Sequence, residues 1–144
     1  MKTILGIAIA MLLSAGALFA EGMVHKIAVH VNENDPAVMN IALNNVQNLT
    51  NYYQSKGDTV EVEVVTYGPG LNMLIDGKSP VADRIATMSL EMDNLSFAAC
   101  GNTHRKMSKK KGEDIALLDE ANMVPSGVVR LIELQEDGFA YVKP

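Results

Sequence analysis

Residues 24–36 read VHKIAVHVNENDP, and this stretch decides the fold. Apolar, mostly β-branched side chains at positions 27, 29 and 31 alternate with other residues, which predicts a strand. Asp35 followed by Pro36 predicts the start of a helix, because an aspartate side chain caps the first helical amides and proline suits the first helical position. A strand that leads directly into a helix indicates a β-α-β unit.

The segment after Pro36 has the three-and-four spacing of an amphipathic helix. We expect Gly57 to end this helix as the residue after its C-terminal cap. Residues 59–67 then alternate again, with Glu61 and Glu63 facing away from the valines, which predicts a second strand with one partly wet face. The residues expected on the buried stripe of the helix are Val38, Ile41, Ala42, Val46, Leu49, Tyr52 and Tyr53.

The same alternation of strands and helices continues to the end of the chain. Gly68-Pro69-Gly70 predicts a tight turn, Ser79-Pro80 predicts the start of a second helix, and a short buried strand over 95–99 ends at Cys100. The second helix is expected to carry Val81, Ile85, Met88 and Met92 on one side. The later elements expected are a helix after Cys100, a helical turn over 115–118, a very short strand at 123–124, a helix opened by Pro125-Ser126 with Val128, Leu131 and Ile132 inward, and a strand over 139–142.

Strands separated by helices indicate a mostly parallel sheet covered on both faces. We therefore expect one three-layer α/β sandwich of the flavodoxin/Rossmann-like kind over residues 21–144. In such open sheets, ligands bind beyond the carboxyl ends of the strands. The residues that follow the strands are therefore the first candidates for function.

The composition is that of a small globular domain. Of 144 residues, 48% are hydrophobic and 20% charged, which argues against a disordered chain. A formal net charge of −5 argues against nucleic acid as a main partner, because phosphate binding needs a basic surface. The single cysteine excludes an intramolecular disulfide framework and any zinc site built from several thiolates.

Residues 1–20 have the layout of a secretory signal peptide. Lys2 precedes an apolar run over 4–13, and small residues at 14–20 suit a signal peptidase, with cleavage expected after Ala20 or, alternatively, after Ala17. An uncleaved membrane anchor is the other interpretation, although the apolar run is shorter than the roughly 20 residues that span a bilayer. We expect an exported, periplasmic protein with no membrane contact after cleavage.

Export makes the cysteine the first residue to explain. An unpaired thiol outside the cytoplasm is paired with another chain, reactive, or buried as a small hydrophobe. Cys100 is expected where a strand ends and a helix begins, with Gly101 allowing a sharp turn and Asn102 or Thr103 capping the helix. Free amides at a helix N-terminus lower the pKa of a thiol. Arg105 and Lys106 are expected to act in the same direction if they point back.

His30 is the second candidate. It ends the first strand, and in a flavodoxin-like order that strand adjoins the third, about 4.8 Å away. His30 is then expected to reach Cys100 as a proton acceptor or hydrogen-bond partner. The alternative is a surface histidine at a strand end. His25 and His104 are expected in solvated or capping positions.

A basic run follows the cysteine, formed by Arg105, Lys106, Lys109, Lys110 and Lys111. Cations near a helix C-terminus suit the helix dipole, so one interpretation is a solvated helix end. The functional interpretation is a docking patch for an acidic partner or an anionic sulfur species.

Five segments together resemble the DsrE/DsrF-like family of small α/β sulfur-relay proteins, and in particular its exported stand-alone branch. The segments are HVNENDP (30–36), ALNNVQNL (42–49), YGPGLNML (67–74), FAACGNT (97–103) and VPSGVVRLIELQEDGFAYVKP (124–144). The resemblance implies a sheet of about five mostly parallel strands and assembly into homotrimers or homohexamers. It implies that Cys100 carries sulfane sulfur as a persulfide, with His30 and Asn102 as neighbours. Relay members act inside the cell, whereas this chain carries an export signal.

A carrier of this kind needs no metal and no organic cofactor. Its thiolate accepts sulfur from a donor protein or polysulfide, and a second thiolate removes it in a step analogous to disulfide exchange. Two other functions stay open. Cys100, His30 and a methionine such as Met73 or Met123 could form a soft site for Cu(I). Alternatively, the domain binds a small ligand or partner and its thiol is inert.

Overall fold

The computed structural model describes residues 22–144. The predicted signal peptide, residues 1–20, lies outside the described residues. The strands are β1 (Val24–Val31), β2 (Thr59–Thr66), β3 (Leu95–Cys100), β4 (Ala121–Val124) and β5 (Ala140–Val142). The helices are α1 (Pro36–Gln54), α2 (Ala82–Glu91), α3 (Gly101–Lys111) and α4 (Gly127–Glu136), with a 3₁₀ helix at Gly68–Leu74.

The five strands form one parallel sheet in the order β4-β3-β2-β1-β5. The chain steps in one direction from β1 to β4 and then returns across the sheet to β5. Because crossovers between parallel strands are right-handed, the three forward steps place α1, α2 and α3 on one face and the return step places α4 alone on the other. The three-layer α/β sandwich predicted from the sequence is confirmed.

The two faces of the sheet differ in how fully they are covered. The larger core lies under α1 and α2 and contains Val29, Val64 and Phe97 from the strands. The smaller core lies under α4 and contains Ala28, Val65 and Ala98, which alternate with those residues along the same strands. One ten-residue helix therefore covers a face that spans five strands.

Most of the predicted helix and strand positions are confirmed. The Asp35 side chain accepts a hydrogen bond from the Ala37 amide at 2.7 Å, and Pro36 is the first residue of α1. Gly57 has a φ of +82°, but it lies two residues after the C-cap Ser55 and not, as was expected, directly after the cap. Residues Val81, Ile85, Met88 and Met92 are all buried along one side of α2. None of the helices in residues 22–144 is long and apolar enough to cross a membrane.

Three expectations about the helices are wrong. In α1 the buried side includes Met39 and Leu43, whereas Ile41 and Tyr52 are exposed. In α4 Leu131 and Leu134 are buried, whereas Val128 and Ile132 are exposed. Residues 115–118 form no helical turn; Leu117 instead makes an antiparallel bridge to Ile75. That segment is held to the 3₁₀ helix, since the Leu118 amide donates to the Leu74 carbonyl at 2.9 Å.

Candidate functional site

Cys100 lies at the junction of β3 and α3. It is the last residue of the strand and the N-cap residue of the helix. Phe97 and Ala99 belong to the larger core and Ala98 to the smaller one, so the alternation points Cys100 toward the face that carries α4. The residue is 4% exposed. Cys100 therefore lies at the strand-to-helix junction predicted from the sequence, but its sulfur is covered rather than open to solvent.

Hydrogen-bonding groups from two helices lie around the Cys100 sulfur and lower its pKa. Burial raises the pKa of the Cys100 thiol, but donors outweigh that effect and the net pKa is lowered. The donors are the Thr103 hydroxyl and the backbone N–H groups of Gly127, Thr103 and Asn102. Thr103 and Asn102 belong to the first turn of α3, and Gly127 is the first residue of α4. Each of these first-turn amides lacks a partner within its own helix, so it is free to stabilise a thiolate.

The Thr103 hydroxyl is fixed in its orientation by a second hydrogen bond. The Gly68 amide donates to Thr103 Oγ1 at 2.9 Å, which leaves the hydroxyl proton for the Cys100 sulfur. Gly68 has a φ of +55°, a conformation that glycine adopts readily. The turn after β2 thus acts on the sulfur through Thr103, which links the glycine turn found in the sequence to the cysteine.

Gly127 allows the beginning of α4 to approach the cysteine. A Cβ atom at this position would lie 3.0 Å from Cβ of Tyr67 and 3.2 Å from Cβ of Cys100. Such distances are tighter than ordinary van der Waals contact, so a larger residue would push the helix away from β3. The Gly127 amide donates to the sulfur because this side chain is absent.

His30 does not reach Cys100, and the predicted adjacency of the first and third strands is wrong. β2 lies between β1 and β3, so His30 is aligned with Val65 and, beyond it, with Ala98. Two strand spacings amount to about 10 Å. The predicted order differs from the observed one because α1, α2 and α3 all lie on one face of the sheet. The strands β1 to β4 therefore pair in sequence order.

His30 instead belongs to an aromatic cluster with Tyr67 and Tyr141 on the α4 face. Its Nδ1 is hydrogen-bonded to the Tyr141 hydroxyl at 2.7 Å, and its ring stacks on Tyr67 with centroids 4.6 Å apart. Burial and, second, the positive charge of Lys143 lower the pKa of His30. Its Nε2 is buried and has no hydrogen-bond partner among residues 22–144. His30 is connected to the cysteine site through Tyr67, on which its ring stacks and which also packs against Gly127.

Asn102 contributes to the site through its backbone. Its amide donates to the Cys100 sulfur, whereas its exposed side chain accepts a hydrogen bond from Arg105 Nη2. The expectation that Asn102 or Thr103 caps the helix is wrong, because Cys100 itself is the N-cap and the helix begins at Gly101. Arg105 is turned toward Asn102 and is not among the groups that lower the pKa of Cys100, and neither is Lys106.

The basic run lies on the exposed side of α3. Lys109, Lys110 and Lys111 occupy the last turn of the helix, where they suit its dipole, and Gly112 ends the helix with a φ of +81°. Lys106 borders a shallow groove of about 440 Å³ that also touches Gly68 and Thr103. Of the five cations, Lys106 is thus the one that borders the same groove as Thr103, whose hydroxyl lowers the pKa of Cys100.

The other two histidines have structural contacts. His25 Nε2 lies 3.0 Å from an Asp58 carboxylate oxygen, and its ring stacks on Tyr53. His104 Nε2 donates to the Ile115 carbonyl at 2.7 Å. Both residues are therefore held by structural contacts, which differ from the solvated or capping positions expected for them.

The proposed copper ligands are not brought together. Met73 is fully buried in the core under α1 and α2, while Cys100 points to the opposite face and His30 lies two strands away. Met123 is half-exposed and its sulfur packs near Gly101. Within residues 22–144, no group of three His, Cys, Asp or Glu side chains is placed to hold a metal ion.

Three features of the α4 face went unnoticed in the sequence: the donor Gly127, the position of Tyr67, and a groove beside α4. The groove holds about 480 Å³. Its most buried charged residue is Glu63, which accepts hydrogen bonds from Arg130 Nε and Nη2 at 2.7 Å each. Glu63 stood out in the sequence as a carboxylate between valines, and that carboxylate was the available signal for a polar partner on this face.

Comparisons with known proteins support the fold. No protein-family model matches the chain, and no curated protein matches it either. Among solved structures, the chain is similar to a protein of unknown function, MTH1491 from Methanobacterium thermoautotrophicum. The TM-score is 0.68 and the sequence identity 28%, and the match covers 83% of this chain and 99% of that one.

Proposed function

We propose that this protein is a sulfur carrier that holds sulfane sulfur as a persulfide on Cys100 and passes it to a partner thiol. The observation that carries the proposal is the convergence of four hydrogen-bond donors, from the beginnings of two helices, on one sulfur atom. A buried structural cysteine needs no such donors, because an uncharged thiol packs as a small hydrophobe. Donors that outweigh burial suit an atom that works as an anion.

Loading requires one bond exchange. The Cys100 thiolate attacks the terminal sulfur of a donor persulfide, R–S–SH, forming a new S–S bond while the bond between that sulfur and the donor breaks. The electron pair leaves with the donor as R–S⁻, and the protein holds Cys100–S–SH. The perthiol is more acidic than the thiol, so the same donors stabilise it as an anion. No oxidant or reductant is consumed.

Unloading is the reverse exchange with a second thiolate. The acceptor thiolate attacks the terminal sulfur, and Cys100 leaves as a thiolate that Thr103 and the amides of α3 and α4 stabilise. A good leaving group speeds this step, so the donors that assist loading assist unloading as well. One cysteine is sufficient for the cycle, and the chain has one.

Because the Cys100 sulfur is covered, sulfur transfer requires part of the protein to move. Since Cys100 is 4% exposed, a donor or acceptor reaches it only when a neighbouring segment moves. The beginning of α4 is a segment in contact with Cys100, because Gly127 lies against this residue. We expect this end of α4 to shift during transfer.

The proposal also covers the location, the assembly and the partners of the carrier, which are inferred from the sequence. The DsrE/DsrF-like resemblance supports a persulfide at Cys100 and a homo-oligomer, and the first twenty residues support export to the periplasm. The donor and acceptor are proteins or polysulfide. In this proposal the cations of α3, which lie on the surface one to three turns after Cys100, are a docking patch for an acidic partner or an anionic sulfur species.

The test is mass spectrometry of the mature protein after exposure to polysulfide. We expect the mass of one sulfur atom to be added to the Cys100 peptide and removed by a reductant. The matched control is Cys100→Ser, which should show no addition. A wild-type protein that gains no sulfur and resists alkylation in the folded state would contradict the proposal and leave a binding module with an inert thiol.

A further inference from the structure

The groove beside α4, within residues 22–144, is a well-formed cavity that no step above uses. It exists because α4 contacts β1 and β2 more than β4, which leaves the sheet open between the helix and that edge strand. Its volume of about 480 Å³ is within the range of small-molecule sites. It is lined by Glu63, Ser96, Phe97, Asn122, Val124, Pro125, Ser126, Val129, Arg130 and Glu133.

Among the charged residues that line the groove, one hydrogen-bond donor and one acceptor have no hydrogen-bond partner in the described part of the chain. Glu63, whose side chain is 13% exposed, binds Nε and Nη2 of Arg130 and thereby fixes the guanidinium. The Glu133 carboxylate lies 3.7 Å from Arg130 Nη1, which is too long for a hydrogen bond. Among residues 22–144, neither Nη1 nor that carboxylate makes a hydrogen bond, although the two stand side by side.

We propose that this groove binds the α-amino-acid head group of a low-molecular-weight thiol, which serves as the acceptor or donor of sulfur at Cys100. The inference rests on the proposed function. A head group of this kind carries a carboxylate and an ammonium on one carbon. The carboxylate of the ligand accepts a hydrogen bond from Nη1 of Arg130, and the ammonium of the ligand donates one to the Glu133 carboxylate. Glu63 is a positioning residue, because it holds Arg130 in place without touching the ligand.

The groove is adjacent to the cysteine. Val124, at one end of its lining, is the register partner of Cys100 across β3 and β4, about 4.8 Å away. Ser126, also in the lining, directly precedes Gly127, whose amide donates to the Cys100 sulfur. A ligand held by Arg130 and Glu133 therefore extends its thiol toward the segment that covers Cys100.

The chemical step balances without an oxidant or a reductant. The thiolate of the ligand attacks the terminal sulfur of Cys100–S–SH, forming the ligand persulfide, while the bond to the Cys100 sulfur breaks. The perthiolate takes up one proton from solvent before the attack. The electron pair then remains on Cys100 as the thiolate, and that proton stays with the transferred sulfur. The reverse reaction loads the protein from the same ligand persulfide.

The experiment compares acceptor thiols on the persulfide-loaded protein. Cysteine and glutathione carry the full head group, cysteamine carries only the ammonium, 3-mercaptopropionate only the carboxylate, and 2-mercaptoethanol neither. We expect the second-order rate of sulfur removal, corrected for the thiolate fraction of each acceptor, to be about tenfold higher with the full head group. Cysteine and glutathione distinguish a short ligand from a longer one.

Variants test the named contacts. Glu133→Gln is expected to lower the rate with cysteine about tenfold and to leave the rate with 3-mercaptopropionate unchanged. Arg130→Lys keeps the charge but loses the planar fork, and it is expected to lower the rate with both. The matched control is Glu136→Gln, an exposed glutamate on the same helix outside the groove, which should change neither rate.

The possible outcomes separate this inference from the function it rests on. Normal loading of Cys100 followed by equal corrected rates for all five thiols overturns the head-group site and leaves the carrier intact. A protein that does not load overturns the carrier. In that case S-methylcysteine, which cannot react, still tests the groove by NMR. Shifts of the Asn122 and Ser126 amides that Glu133→Gln abolishes support the site, and unshifted amides overturn it.

Discussion

At the scale of single residues, the ionisation of Cys100 depends on opposing effects. Burial disfavours the thiolate, and four donors favour it. Only Thr103 contributes both a side-chain and a backbone donor, so its hydroxyl can be removed without disturbing the helix. Thr103 is therefore the residue at which the opposing effects of burial and hydrogen bonding on the pKa of Cys100 are best measured.

Thr103→Val should raise the pKa of the Cys100 thiol toward its ordinary value. A hydrogen bond to a charged group contributes about 1.5–3 kcal/mol, so we expect alkylation at neutral pH to slow at least about tenfold. The direction of the change in rate follows from the pKa. When the pKa of Cys100 is higher, a smaller fraction of the thiol is ionised at any pH below that pKa. The rate of iodoacetamide reaction over a pH series measures both changes.

Thr103→Ser is the matched control for that experiment, because it keeps the hydroxyl that accepts from Gly68 and donates to the sulfur. Its pH profile should stay close to that of the wild type. If Val and Ser variants gave the same profile, the hydroxyl would have no part in the ionisation of Cys100.

The sequence predicted part of this site. Cys100, the glycine after it and the amides of the following helix were foreseen, because the strand-to-helix pattern places them next to each other along the chain. Gly127 and Tyr67 were not, because they reach the sulfur through tertiary contacts. His30 was misplaced for the same reason, since spacing along the chain does not fix which strands are neighbours.

At the scale of the elements, strands were predicted more accurately than helix faces. Period-two alternation with β-branched residues predicted β1 and β2, and a short apolar run predicted β3, each to within one residue. In α1 and α4, apolar residues occur on more than one side, so several stripes fit the spacing. The buried stripe was decided by packing on the sheet, which selected Met39 and Leu43 in α1 and Leu134 in α4.

The contact between the start of α4 and β3 gives a prediction at this scale. Gly127→Ala introduces a Cβ 3.0 Å from Tyr67 and 3.2 Å from Cys100, so the helix must move outward. We expect a loss of about 1–3 kcal/mol in the free energy of unfolding, as for other overpacked sites. Urea denaturation measures the loss, and alkylation of Cys100 should change in the same variant because the Gly127 amide is displaced.

Gln135→Ala, an exposed change on the same helix, serves as the control and should alter the free energy of unfolding by less than about 0.5 kcal/mol. A Gly127→Ala protein as stable as the wild type, with unchanged alkylation, would mean that α4 is not held against Cys100 through this glycine.

At the scale of the whole molecule, strand order governs which residues meet. The order β4-β3-β2-β1-β5 reverses once, between β1 and β5, and it leaves α4 as the single helix on its face. Local patterns in the sequence set the class of the sheet but not this order, because right-handed crossovers allow more than one sequence of neighbours. The aromatic cluster of His30, Tyr67 and Tyr141 and the groove beside α4 both follow from that order.

The outer side of α4 gives a prediction about assembly. Val128 and Ile132 are exposed at 52% and 51%, and they lie one turn apart on the helix, outside the lining of the groove. We predict that copies of the chain, as homotrimer or homohexamer, associate through this face. Ile132→Lys should then shift the particle mass toward the monomer in light scattering at micromolar concentration.

Leu90→Lys is the control for assembly, because Leu90 is an exposed apolar residue on α2, on the other side of the sheet. It should leave the particle mass unchanged. A wild-type protein that is monomeric at every concentration tested would contradict association through α4.

The described sheet ends on β4, with four residues, and β5, with three. A long unpaired strand is a template on which a second polypeptide can add its own backbone, and this is the usual start of fibril growth. These two margins offer few amide and carbonyl groups for such an addition. The folded protein should therefore resist amyloid formation even when it is concentrated.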